Sequence, residues 1–341
     1  MEPLISKFPK LISIIIVSYN GKKFLVRCLP SLFAQDYPRF EVIIIINGSS
    51  DGSAQWLQEN YAQVKLICND ENLGYCTATN QGINRSEGEY VIVLDDDTEL
   101  DEGFLSAMVA AAESGADVGM VASQILFDDD PGRIDSAGIE VDWAGLAWNR
   151  HVGFASADEP NEWVDVFGST GAAGLYKKKM LDQIGLLDED YFIYYDDADI
   201  AWRGQRAGWR CVYTPFAKVR HVHSGTSGQW SPFKTYLLGR NKLWTIIKNY
   251  EWPALVSHLH LILFFEIAAI LYGLLILRNT AVVRGRLAAI SNIALPLSKR
   301  RQFNQTVKSK SVKLAPVRPP KLAWEMHRSV PVSKSSLVQI P

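Results

Sequence analysis

The sequence predicts an α/β protein with a doubly wound, mostly parallel sheet, followed by an apolar helical segment at its carboxyl end. Three observations carry this. Short β-branched runs at 11–17, 41–46, 65–68 and 91–94 alternate with stretches of helical period. The last run, Val91-Ile92-Val93-Leu94, stops abruptly at Asp95-Asp96-Asp97, which sets carboxylates at a strand's carboxyl end, where open α/β sheets bind ligands. Far downstream, residues 254–277 carry no charge except Glu266.

In chain order, the first run ends at Ser18-Tyr19-Asn20-Gly21, a turn that presents polar side chains. Phe24, Leu25, Cys28, Leu29, Leu32 and Phe33 then recur at helical spacing, with Pro30 expected to kink that helix or remove a hydrogen bond. Asn47-Gly48-Ser49-Ser50-Asp51-Gly52 is a turn that leads into a helix from Ser53 to Asn60. A loop at 71–75 precedes a helix at 78–84. Beyond the acidic strand end, 104–112 reads as helix and 118–127 as strand. Residues 128–165 are irregular and rich in Gly, Trp and acid, as pocket-shaping loops are. Tyr194-Tyr195-Asp196-Asp197-Ala198-Asp199 is a second acidic cluster, set among aromatics. Alternation in Val219-Arg220-His221-Val222-His223 places both histidines on one face of a strand.

Three adjacent carboxylates repel one another, so a fold that keeps Asp95, Asp96 and Asp97 together needs a neutralising partner. A divalent cation with oxygen ligands does this and also holds a phosphate. A solvated acidic turn is the other reading of these three residues alone. No G-x-G-x-x-G follows the first strand and no G-x-x-x-x-G-K-[ST] occurs, which disfavours dinucleotide and P-loop sites. A haloacid-dehalogenase-type phosphatase needs Thr or Val where Glu99 stands. Cys28, Cys68, Cys76 and Cys211 form neither a zinc knuckle nor a disulfide framework, and the first ten residues do not read as a signal peptide. Net charge is −2, yet from Arg278 onward 13 basic residues face one acid, leaving 22 basic against 36 acidic residues for the body. This asymmetry points to two environments, a cytosolic body and a basic tail, and no nucleic-acid partner is expected.

The motifs I-I-I-V-S-Y-N-G, N-G-S-S-D-G-S, N-L-G-Y-C-T-A-T-N-Q-G-I, L-D-D-D-T-E-L, Y-Y-D-D-A-D-I and R-H-V-H-S-G occur in one order over residues 11–250. Together they resemble the family 2 inverting glycosyltransferases with a GT-A fold, bacterial rhamnosyltransferase-like members above all. The resemblance implies a nucleotide-diphosphate sugar donor held by Ser18, Tyr19, Asn20, Asp51, Asn72, Asp95 and Asp96. It implies a Mn²⁺ or Mg²⁺ ion on Asp95 and Asp97, with His221 or His223 as a further ligand, and Asp197 as the base that takes the acceptor's proton. Two departures matter: Ile46 stands where the family has Asp before the Asn of its second motif, and Asp196 stands where it has Glu. The first puts recognition of the nucleotide base in doubt.

Residues 254–277 are long enough to cross a bilayer as a helix, but Glu266 near the middle is expensive in lipid, so an interfacial or buried helix competes. Trp244 and Trp252 border the segment as interfacial aromatics do, and Arg278, Arg284 and Arg286 suit an anionic leaflet. The expected organisation is a catalytic domain at 1–235, a membrane-associating helical region at 236–290 and a basic, disordered tail at 291–341. The function read from all of this is metal-dependent, inverting transfer of a sugar, with rhamnose a candidate, to a lipid-linked or cell-envelope glycan at the cytoplasmic face of the cell membrane. The rival readings are a catalytically silent sugar-nucleotide-binding partner and, behind it, the phosphatase.

Overall fold

The computed structural model describes residues 9–222 and 231–317. Its first strand, β1 (Ile12–Ser18), is apolar at nearly every position because it is covered on both faces. Ile14 and Ile16 point into one core, against Leu25 and Leu29 of helix α1 (Lys22–Phe33). Ile15 points into the other, with Ile83 of helix α3 (Tyr75–Arg85). Strands β2 (Phe40–Asn47), β3 (Lys65–Asn69) and β4 (Tyr90–Asp95) run parallel to β1, in the order β3-β2-β1-β4. Helix α2 (Ser53–Asn60) joins β2 to β3. The doubly wound, mostly parallel sheet predicted from the strand–helix alternation is therefore present. Pro30 sits inside α1 without ending it.

Past β4 the sheet turns mixed. Short β5 (Thr98–Leu100) and helix α4 (Phe104–Ala112) precede the fully buried β6 (Val118–Phe127). The stretch 128–165, expected to be loops, holds the three-residue strands β7 (Ile134–Ser136), β8 (Ile139–Val141) and β9 (Ala147–Asn149), and the edge strand β10 (Val164–Val166) begins at its end. β11 (Ala173–Lys177) lies antiparallel between β4 and β6. Helices α5 (Lys178–Ile184) and α6 (Asp196–Arg206) lead to β12 (Arg210–His221), which runs parallel to β6 and antiparallel to β5.

The carboxyl-terminal part differs from expectation. A boundary at 235/236 would cut helix α7 (Pro232–Asn249) in its first turn. Of the two tryptophans expected at a membrane border, Trp252 is 57% exposed but Trp244 is buried and donates to the Ala289 carbonyl; Tyr250 between them is buried too and donates to the Trp143 carbonyl. Helices α8 (Trp252–Leu275) and α9 (Ala281–Ser291) follow. The tail read as disordered from 291 instead begins with helix α10 (Ala294–Thr306), because Arg300 and Phe303 pack inward on the catalytic body. Residues 318–341 lie outside the described chain.

A buried ionic network ties α7 and α10 to α6 and to the loop before it. Asp199 accepts from Arg203 Nε at 2.8 Å, Lys248 Nζ at 2.9 Å and Asn249 Nδ2 at 2.7 Å. Lys248 also donates to Asp188 at 2.7 Å, and Lys299 of α10 reaches Asp188 and Asp190. Despite its burial, Asp199 is held well below the usual carboxylate range by Lys248 and Arg203. Removing one member leaves buried charge unpaired, so Asp199→Ala should cost about 3–5 kcal/mol of stability. Denaturant unfolding measures this, and a change below about 1 kcal/mol, the scale of an exposed pair, would contradict the assignment.

Candidate active site

β4 ends at Asp95, and Thr98 Oγ1 closes the following turn on the Asp95 carbonyl at 2.7 Å. The chain then pairs back as β5 against β12, setting Thr98 opposite His221, with Val222 N donating to the Asp97 carbonyl. This pairing carries an imidazole from residue 221 to the acidic strand end. His221 Nε2 lies 3.3 Å from Asp97 Oδ1 and 3.9 Å from Asp95 Oδ2. One ligand atom from each of Asp95, Asp97 and His221 falls within 4.8 Å of the others, and two carboxylates with an imidazole are a donor set that fits a divalent cation. His223 lies outside the described residues.

Burial and the neighbouring Asp97 push the Asp95 carboxyl up to about 7. Burial would lower the pKa of His221, but Asp97 and Asp135 raise it well above the ordinary imidazole value. Asp96 points away, against Ser18 and Gly21, where a Cβ on Gly21 would lie 1.9 Å from its Oδ2; burial and Asp97 hold it well above the usual range.

These residues open on a cavity of about 980 Å³, also lined by Tyr19, Asn47, Asn72, Asp197 and Lys234. Asn47 knits two motifs together: it donates to Asn72 Oδ1 at 3.0 Å and accepts from Leu73 N at 3.1 Å. Ile46 is buried in the apolar core, so position 46 offers nothing to a nucleotide base. Asn20 and Asp51 hold the turns beside the cavity: Asn20 Oδ1 accepts from Ser50 N, and Asp51 accepts from Lys22 N and Ser53 N. The buried Ser18 side chain, Asn20 and Asp51 are not among the cavity-lining residues.

Opposite the metal-type cluster, α6 begins. Phe192, Tyr194 and Tyr195 take positive φ of 68°, 71° and 65°, a costly backbone for bulky residues that the surroundings must enforce. Asn241, fully buried on α7, does so: its side-chain amide donates to the carbonyls of Tyr191, Ile193 and Tyr194 at 2.9–3.1 Å. Gly74 permits the approach from the other side, since a Cβ there would lie 2.5 Å from the Phe192 ring. The contorted loop delivers Asp196 and Asp197 at the positive end of the helix dipole. Asp197 Oδ1 accepts from Ala198 N at 2.7 Å, and burial raises its carboxyl to about 6.

Three residues of the site carried no sequence signal. Lys234, whose pKa burial lowers, lines the cavity with Nζ 5.2 Å from the Tyr194 ring. Asn241 lies on α7, outside every motif of the sequence. Asp135, in the irregular stretch, is buried and takes His221 Nδ1 at 2.6 Å, leaving Nε2 to face Asp95 and Asp97. A carboxylate in that position fixes ring orientation and ligand basicity. Asp135→Ala should therefore weaken Mn²⁺ binding, measured by calorimetry, by about 10–100-fold. Unchanged affinity would remove Asp135 from the site.

The profile of glycosyl transferase family 2 matches residues 13–185. A rhamnosyltransferase of Mycobacterium tuberculosis, N-acetylglucosaminyl-diphospho-decaprenol L-rhamnosyltransferase, is 27% identical over 244 residues, covering 63% of this chain and 77% of its own. Among solved structures, GalNAc-T7 with UDP, GalNAc and Mn²⁺ superposes with a TM-score of 0.63 at 15% identity, over 88% of this chain and 55% of that one. A mannosyltransferase of Pyrobaculum calidifontis with GDP-Man and Mn²⁺ gives 0.55 at 17% identity, over 95% and 85%. The structural likenesses establish a GT-A-like sheet, and with half of the chain matched in sequence the protein belongs to glycosyl transferase family 2.

Proposed function

We propose that this glycosyltransferase moves a hexose from a nucleotide-diphosphate donor to a lipid-linked cell-envelope glycan, with inversion, at the cytoplasmic face of the membrane. One observation carries the reading: a carboxylate, Asp197, faces the Asp95–Asp97–His221 cluster within a single cavity. The mycobacterial relative, named for transfer of rhamnose to a diphospho-decaprenol glycan, supports rhamnose as a donor sugar and a polyprenyl diphosphate as the acceptor's anchor.

The nucleoside lies along Tyr19, Asn47 and Asn72, residues that line the same cavity. Asp95, Asp97 and His221 would hold a divalent cation, which when bound would compensate the charge of the departing diphosphate. Lys234 adds a second positive charge at the cavity wall. Asp197 Oδ1 is engaged with the Ala198 amide, so Oδ2 accepts the proton of the acceptor hydroxyl. That oxygen bonds to the anomeric carbon from the face opposite the diphosphate, the carbon–oxygen bond to phosphate breaks with its electron pair, and the configuration inverts.

Replacing a positioned base costs roughly 10²–10⁴ in rate, so Asp197→Asn should bind nucleotide normally and transfer that much more slowly. A base must be ionised, so the wild-type rate should fall as pH drops through about 6 and this limb should vanish in the variant. Loss of donor affinity with an intact turnover number would make Asp197 a binding residue. EDTA should abolish transfer and added Mn²⁺ or Mg²⁺ restore it, and Asp97→Asn should raise the Mn²⁺ dissociation constant in calorimetry. Full turnover in EDTA refutes the metal assignment.

A further inference from the structure

At about 1.5 Å per residue, α8, with 24 residues, is about 36 Å long, enough to cross a bilayer. Its packing argues otherwise. Leu255, His258, Ile262, Glu266, Ala269 and Gly273, spaced by three and four, form one stripe that is buried or half-buried along the whole helix. His258 stacks on Trp143 with ring centroids 5.3 Å apart, and Gly273 abuts Val282 of α9. At mid-helix Glu266 meets Lys242 of α7 at 2.7 Å and Arg286 of α9 at 2.5 Å. Lys242 is the residue after Asn241, which clamps the active-site loop. A spanning α8 would carry this charge cluster, and the catalytic body fastened to it, into hydrocarbon.

The opposite side of α8 is apolar and bare: Val256 is 72% exposed, Phe264 60%, Ile267 57% and Leu275 71%. On α9, Leu287 and Ile290 are likewise exposed, at 60% and 61%. Exposed Arg278, Arg284 and Arg301 lie in the turn after α8, in α9 and in α10, on a part of the chain with 13 basic residues and one acid. The surface also adjoins the cavity, because Asn279, just past α8, donates to Thr235 in the first turn of α7 at 3.2 Å. Phe233 of that turn is 51% exposed and lines the cavity.

We propose that the outward faces of α8 and α9 dock flat on an anionic lipid leaflet, in its plane and without crossing it. The stripe of α8 that carries Glu266 faces the protein, the exposed apolar stripe enters the acyl boundary, and the arginines meet lipid phosphates. A lipid-linked acceptor then reaches the cavity sideways past Phe233 while its tail stays in the membrane. The inference rests on the membrane-bound acceptor proposed above and adds the orientation of the enzyme to it.

The test uses the full chain carrying Cys68→Ser, since the other three cysteines are buried. Single cysteines, made by Val256→Cys, Ile267→Cys and Leu275→Cys, carry an environment-sensitive fluorophore. The protein is added to vesicles of phosphatidylcholine with phosphatidylglycerol that contain quenchers at two acyl depths. A docked helix places all three labels at one shallow depth. A deep middle label between two shallow ends means a spanning helix and overturns the proposal, as does a vesicle-bound protein whose labels remain in water. If the unlabelled chain fails to sediment with these vesicles at low salt, the membrane reading itself fails, and the acceptor is then sought among soluble glycans. Ile267→Glu should weaken vesicle partition about tenfold or more while nucleotide binding is unchanged.

Discussion

The structure hangs on the buried charge network around Asp199. Five residues from four segments, Asp188 before α6, Asp199 and Arg203 in α6, Lys248 in α7 and Lys299 in α10, compensate one another, all but Lys299 buried. Each alone would be expensive to bury, so the set holds α6, α7 and α10 in one arrangement. The consequence is functional. α6 begins with the cavity carboxylates Asp196 and Asp197, and α7 carries Asn241, which enforces the unfavourable backbone of Phe192, Tyr194 and Tyr195. The third acid of the Y-Y-D-D-A-D-I motif is thus a structural anchor, and its two predecessors line the cavity.

A second constraint sits at the end of β4. Asp95 and Asp97 follow an apolar strand that cannot shift without exposing Val91–Leu94, residues buried on both faces of the sheet. Their mutual repulsion is answered by an imidazole brought from 126 positions away in sequence by the β5–β12 pairing. Asp135 behind that imidazole sets which nitrogen faces the cluster. The cavity is therefore assembled from three parts of the fold: strand ends of the parallel half, the short strands after β6, and the α6–α7 junction.

The helices after α7 serve both the core and a surface. α9 packs along α7 and covers Trp244, while α10 supplies Lys299, Arg300 and Phe303 to the catalytic body. Arg206, Ser309 and the Lys310 amide continue that seam beyond α10. A helix with one stripe committed to this core and the other left apolar has two interfaces built in. Its charge partners decide which side faces protein.

The strand–helix alternation, the acidic strand end, the order of the six motifs and hence the family are legible in the residues alone, because these depend on local period and short-range spacing. Helices α2 and α4 and strand β6 lie where residue pattern alone put them. The antiparallel β11 in mid-sheet, the union of Asp95, Asp97 and His221, and the places of Asp135, Lys234 and Asn241 arise from long-range contacts of the folded chain. So do the bracing of turns by Asp51 and Asn20 and the packed helix that starts the basic tail. Glu266 shows the reason most plainly. In sequence it is one acid in an apolar run. Its two partners lie 24 residues before and 20 after it, and no local pattern encodes a charge neutralised across that distance.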